Sequence, residues 1–153
     1  MEKDYLKTIW YEYGARDGFC VQLRSHLSWD KAAFDRLTQA MRSCCKEYEI
    51  STQEVNRGRE RLIPDSGEMS IYVLGYPDPP TRLLPDWLAE IFWFLSHFVR
   101  DWTSHEVWDA DQAREPDYFQ KAYQRLDHLA SWFFTGRCPW RDEEKGWSQT
   151  FVE

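Results

Sequence analysis

YLKTIWYEY, residues 5–13, sets the expected fold class. The stretch is dense in aromatic and β-branched residues, which suit a pleated, half-buried surface, so it reads as a β-strand. ARDG (15–18) follows as a turn, and FCVQLRS (19–25) then places Phe19, Val21 and Leu23 alternately on one face. Strand, turn and alternating strand make a β-hairpin. Further along, STQEVNRGRE (51–60) reads as a loop or a weak edge strand, and the Pro64-Asp65-Ser66-Gly67 turn precedes Met69 to Tyr76, apolar at nearly every position, as expected of a strand covered on both faces.

Three helices are expected beside this sheet. Phe34, Leu37, Met41, Cys44 and Tyr48 recur at steps of three and four, giving an amphipathic helix over about 29–48, with Ser28 as N-cap and Asp30 in its first turn. PDWLAEIFWFLSHFVRDWTSHEVW (85–108) gives a second helix, from near Asp86 to Trp102 or Thr103. The third spans about 117–134, with Pro116 in its first turn, Gly136 as its C-terminal cap and Pro139 barring continuation. The order ββαββαα predicts an α+β fold, a small antiparallel sheet of two hairpins packed with three α-helices. The 153 residues fit a single domain, 1–153, with 136–153 as a loosely packed tail ending in a short strand.

Composition narrows the function classes. The chain holds 9 Trp, 8 Tyr and 9 Phe, more large rings than a core of this size hides, so a partner is expected to cover some of them. A net charge of −7 opposes non-specific nucleic-acid binding, which needs a cationic footprint, and suits a partner with a basic surface. Only nine residues separate Glu90 from Arg100, far short of the about 20 apolar residues of a spanning helix. Cys20, Cys44, Cys45 and Cys138 contain no C-x-x-C pair, and MEKDYLKTIW lacks the apolar core of a signal peptide. Reduced thiols, a cytoplasmic location and no cofactor are therefore expected.

Placed at about 100° per residue, 85–108 sorts into two arcs. Leu88, Ile91, Phe92, Leu95, Phe98, Val99 and Trp102 share the apolar arc, while Trp93 falls among Asp86, Glu90, His97, Arg100 and Asp101. The third helix repeats this, with Trp132 on the polar side beside Lys121, Arg125 and His128. Trp and Arg are the usual energetic anchors of interfaces, so Trp93, His97, Arg100, Arg125, His128 and Trp132 form the candidate partner-binding surface. The competing expectation is that loops or the C-terminal tail, with Trp140 and Trp147, fold over these rings.

Catalytic signals are sparse. Arg100-Asp101-x-x-x-His105 resembles the Arg-x4–6-His signature of HEPN-type ribonucleases, an all-helical, dimeric family. The resemblance implies that Arg100 and His105 act on the scissile phosphate and 2′-hydroxyl. Five helical steps set the two about 140° apart, so the helix must break between them or a second subunit must complete the site. His97, Asp101 and His105, at i, i+4 and i+8, are an alternative partial ligand set for a divalent metal. His105-Glu106-x-x-Asp109 resembles the zinc-protease H-E-x-x-H with its second histidine replaced, which removes a ligand. Glu106, Asp109, Asp111, Glu115 and Asp117 lack EF-hand spacing and read as a solvated acidic loop. Glycine-rich phosphate loops and G-x-S-x-G are absent. The expectation is a protein-binding module, of the stoichiometric-inhibitor or immunity type, with a homodimer as one form of it. The alternatives are a HEPN-like ribonuclease and a small-ligand-binding domain with an aromatic-lined pocket.

Overall fold

A computed structural model describes residues 3–49 and 85–151, and all secondary structure among them is helical. The elements are α1 (Asp4–Gly14), α2 (Phe19–His26), α3 (Lys31–Glu47), α4 (Asp86–Trp102), a 3₁₀ turn (Glu106–Trp108), α5 (Asp109–Arg114), α6 (Pro116–Thr135) and α7 (Glu143–Ser148). The expected α+β fold is thus corrected to an all-α one. STQEVNRGRE and the expected strand Met69 to Tyr76 lie outside the described residues.

The first hairpin is a pair of helices for a reason visible in its burial. Tyr5, Leu6, Ile9, Glu12 and Tyr13 turn inward, at steps of one, three, three and one, whereas a strand would group Lys7 and Tyr11 with Ile9. Lys7 and Tyr11 are exposed. In α2 the buried set is Phe19, Cys20 and Leu23, again one helical face, and Val21 stays half-buried. The β-propensity of rings and branched side chains spans only about 1 kcal/mol and yields to tertiary context. Burying a single large apolar side chain contributes about 1.5–3 kcal/mol, so the register that buries more wins.

ARDG is accordingly a helix–helix corner. Gly18 is the N-cap of α2, and its Cα packs so closely on the last turn of α1 that a Cβ would meet the carbonyl oxygens of Tyr11 and Glu12. Glu12 completes the corner: its buried carboxylate accepts from Phe19 N at 3.0 Å and from Arg36 Nε at 3.4 Å. An acceptor at a helix N-terminus satisfies an orphan amide and meets the positive end of the dipole.

α3 begins two residues later than expected. Asp30, not Ser28, caps it, accepting from Ala33 N at 3.1 Å. Gly136 (φ 73°) ends α6 in the left-handed conformation, its N–H donating to Trp132 O at 2.8 Å. Within the tail Glu143–Ser148 forms α7, capped by Asp142, and no strand occurs among its described residues.

α1 packs on α3, α3 on α6 and α6 on α4, with α2 against both α1 and α3. Trp29 closes the α2–α3 connection onto α6: its Nε1 donates to Tyr118 Oη at 2.9 Å, and Phe19, Phe34 and Phe119 surround its ring at 4.9–5.2 Å. Phe92 of α4 stacks on Phe133 of α6 at 4.1 Å. No helix among the described residues is long and apolar enough to cross a membrane.

Candidate functional site

The six residues expected to form one surface divide between two environments. Those on α4 face solvent. Trp93 is 44% exposed, and His97, one turn on, stacks against it at 4.5 Å. His97 Nδ1 lies 2.9 Å from Trp93 O, to which Ser96 Oγ also donates at 3.1 Å. Phe94 and Phe98 meet the Trp93 ring edge-on at 5.4 and 5.6 Å, and Phe98 stacks on Trp102 at 6.1 Å. The Arg24 guanidinium of α2 sits 5.1 Å above Trp102. Helical spacing thus builds a band of rings along α4, of which Trp93 stands furthest into solvent. Arg100 is exposed but engaged, donating to Asp127 Oδ2 at 3.3 Å and lying 5.0 Å above the Tyr123 ring.

Those on α6 face inward. Arg125 and Trp132 are 2% and 1% exposed and present no surface to a partner. Arg125 Nε donates to Thr150 Oγ1 at 2.8 Å, and Nη1 to Thr38 Oγ1 and Asp35 Oδ1 at 3.0 and 3.1 Å. The rings of Trp147 and Phe151 flank its guanidinium at 4.0 and 3.5 Å. Burial pulls its pKa down to about 10, with Asp35 acting in the opposite direction. Trp140 lies against Trp132 at 6.3 Å, His128 at 5.0 Å and Trp147 at 6.0 Å. His128 is half-buried, and neither its Nδ1 nor Trp132 Nε1 has a hydrogen-bond partner among the described residues. The segment after Gly136 therefore closes over this face of α6, carrying Trp147 and Thr150 into the core. A helical wheel assigns one apolar arc, but α6 has α3, α4 and the C-terminal segment around it. Trp140 and Trp147 were the signal for that cover.

The alternative chemistries are differently placed. α4 ends at Trp102, so Arg100 and His105 do not share a helix; His105 Nδ1 instead accepts from Val107 N at 3.2 Å and caps the 3₁₀ turn. The same break takes His105 out of line with His97 and Asp101. No group of three His, Cys, Asp or Glu able to hold a metal occurs among the described residues. Glu115 pairs with Lys31 at 2.6 Å and Asp111 with Arg114, which spends part of the acidic cluster on local ion pairs.

One feature escaped the sequence reading. A groove of about 760 Å³ opens between α1 and the start of α4, bounded by Trp10, Tyr11 and Trp87 with Gly14 and Ala15 in its lining. Trp10 is 60% exposed and meets Trp87 edge-on, 5.5 Å between centroids. Treating 5–13 as a strand set Trp10 and Tyr11 on opposite faces. The helix brings both to one groove and places Gly14 a turn beyond Trp10. Comparison with family models, with curated proteins and with solved structures returned no significant match.

Proposed function

We propose that this chain is a protein-binding module whose contact surface is the outward side of α4, centred on Trp93 with His97 and Arg100 beside it. The exposed Trp93 ring, packed against its neighbours on α4, carries this reading. It stacks on His97 and makes edge contacts with Phe94 and Phe98, which favour this orientation. A large ring already ordered loses little rotamer freedom on docking, which is what makes tryptophan an effective anchor.

Charge points to the partner's chemistry. Asp86, Glu90 and Asp101 are exposed along the same side of α4, and the charge of Arg100 is answered by Asp127. With a net charge of −7, the chain favours a partner with a basic surface, steered in by long-range attraction. A stoichiometric inhibitor of a basic enzyme, including one of the immunity type, fits this description. A second copy of the chain would use the same band of rings, which a dimer mass in light scattering would reveal.

The test is Trp93→Ala against a partner captured from lysate and then purified. Binding weakens by more than about 2 kcal/mol, roughly thirty-fold, while circular dichroism is unchanged because the ring lies outside the core. Unaltered affinity removes α4 from the interface. The ribonuclease reading retains one supporting observation: Arg100 and His105 both stand exposed where α4 ends. RNA cleavage by the wild type that His105→Ala abolishes would establish it, and an inert wild type would end it.

A further inference from the structure

We propose that the groove between α1 and the start of α4 is a binding site for a small aromatic carboxylate, its ring system against Trp10, Tyr11 and Trp87 and its carboxylate on Lys7. The proposal is independent of the α4 interface, since none of these residues belongs to the Trp93 cluster.

The groove has the size of a ligand site. About 760 Å³ falls within the roughly 300–1,000 Å³ typical of small-molecule pockets. Its α1 side follows from helical spacing. At about 100° per residue, Lys7 and Gly14 fall within about 20° of each other on one line of the helix, with Trp10 and Tyr11 to either side. Seven residues at about 1.5 Å each separate the two ends of that line by about 10 Å. At the Gly14 end an added Cβ would meet no atom within 4 Å, so the floor there is low and open. Trp87 of α4 stands nearly perpendicular to Trp10, at 89°, so the two indoles form a corner and not a closed stack. The result is a short trough with rings along its sides and a single charge on its line, the shape of a fused ring system carrying a short acid arm.

The polar groups of the lining set the class of the ligand's head. Lys7 is exposed and is the one charged side chain among the described residues that line the groove. Its ammonium has three donors and no acceptor, and the indole nitrogens of Trp10 and Trp87 are donors only. The Tyr11 hydroxyl can donate as well as accept. No carboxylate, amide or imidazole side chain is among the described lining residues. Charge and hydrogen-bonding character therefore agree. A head that accepts hydrogen bonds and carries negative charge finds partners here, whereas an ammonium or guanidinium meets a like charge and no carboxylate to receive it. Leu6, Ala15 and the rings supply apolar area for the ligand's body, and a single polar end fixes its orientation. The net charge of −7 acts on approach, where salt screens it over about 10 Å; at contact the charge in the lining decides.

The discriminating experiment titrates three probes of similar shape into the full chain by calorimetry at neutral pH: 1-naphthylacetate, 1-naphthylacetamide and 2-(1-naphthyl)ethylamine. The carboxylate binds most tightly, roughly two- to five-fold above the neutral amide, the range of an exposed ion pair, and the amine binds most weakly. Lys7→Met keeps the apolar stem and removes the charge, so it brings carboxylate and amide to equal affinity and leaves that of the amide unchanged. Trp10→Ala, at an exposed position whose loss leaves the core intact, weakens all three roughly ten-fold or more, because it removes a large share of the ring surface. Circular dichroism checks that both variants keep the fold. Equal affinities of carboxylate and amide for the wild type, tightest binding by the amine, or a carboxylate preference that survives Lys7→Met would overturn the carboxylate assignment. Binding by none of the probes, or binding unaffected by Trp10→Ala, would overturn the site itself.

Discussion

Replacing Arg125 tests how the C-terminal segment is held. Arg125→Ala removes a buried guanidinium that donates to Thr38, Thr150 and Asp35 and lies between Trp147 and Phe151. Hydrogen bonds from a charged donor contribute about 1.5–3 kcal/mol each, and a desolvated cation–π contact up to about 2. Against them stands the desolvation of the cation, several kcal/mol, whose direction shows in the pKa drawn down to about 10. The former partners are not orphaned. Thr38 Oγ1 still donates to Phe34 O at 2.9 Å, Thr150 Oγ1 to Trp147 O at 2.6 Å, and the half-exposed Asp35 regains water. The polar exchange therefore nearly cancels, and the cost of alanine is chiefly the cavity, about 3 kcal/mol. Methionine, which keeps the apolar stem between the rings, costs only about 1 kcal/mol. Urea unfolding followed by tryptophan fluorescence reads both: with a slope of about 2 kcal/mol/M, the midpoint falls by about 1.5 M for Arg125→Ala and about 0.5 M for Arg125→Met. Equal losses for the two variants would show that the charge, not the filled volume, secures α7, and would refute this reasoning.

Gly18→Ala destabilises by about 3 kcal/mol in the same assay, because the new Cβ strikes backbone carbonyls of α1 that cannot rotate away; a shift under about 1 kcal/mol would mean the α1–α2 corner opens easily. Glu143 accepts from Arg42 Nη2 at 2.7 Å, and this hydrogen bond, opposed by burial, holds its carboxyl below the usual range. A depressed folded-state pKa stabilises above the unfolded value, and that contribution is lost as pH falls through the folded one. Urea midpoints measured from neutral pH down through the carboxylate range should therefore fall less steeply for Glu143→Gln than for the wild type. Burial raises Cys20 and Cys44 to about 12 and shields Cys45, whereas Cys138, whose thiol burial also raises, is only half-buried and open to reagent. A thiol reagent should label one cysteine ahead of the other three in the native protein and all four after unfolding; two or more native thiols labelled at the same rate would contradict the buried placement.

Where periodicity ran long, local sequence was enough. α3, α4 and α6 each repeat apolar residues at three- and four-residue steps over 17, 17 and 20 residues, and Gly136 marked an end because a left-handed residue terminates a helix at little cost only as glycine. The exposed tryptophan on α4 followed from the same spacing, since its position on the wheel depends on the helix alone. The two short N-terminal elements, 11 and 8 residues long, were not decided this way. Over so few positions Tyr5-Ile9-Tyr13 satisfies both a two-residue and a near-four-residue period, and aromatic content tilted the reading towards strand. What settles them is long-range: Ile9 and Tyr5 need α3 to cover them, and the Phe19 amide needs Glu12.

The fate of Arg125 and Trp132 was tertiary for the same reason. Their side of α6 is polar by its own spacing, and becomes interior only when residues 140–151 arrive with two tryptophans, a phenylalanine and a threonine hydroxyl. The groove beside Trp10 likewise joins α1 to α4 across the chain. Residue type and spacing determined which faces could be apolar. Which of those faces stayed open was decided by what packed against them, because burial energy belongs to a pair of surfaces and a helix alone supplies one.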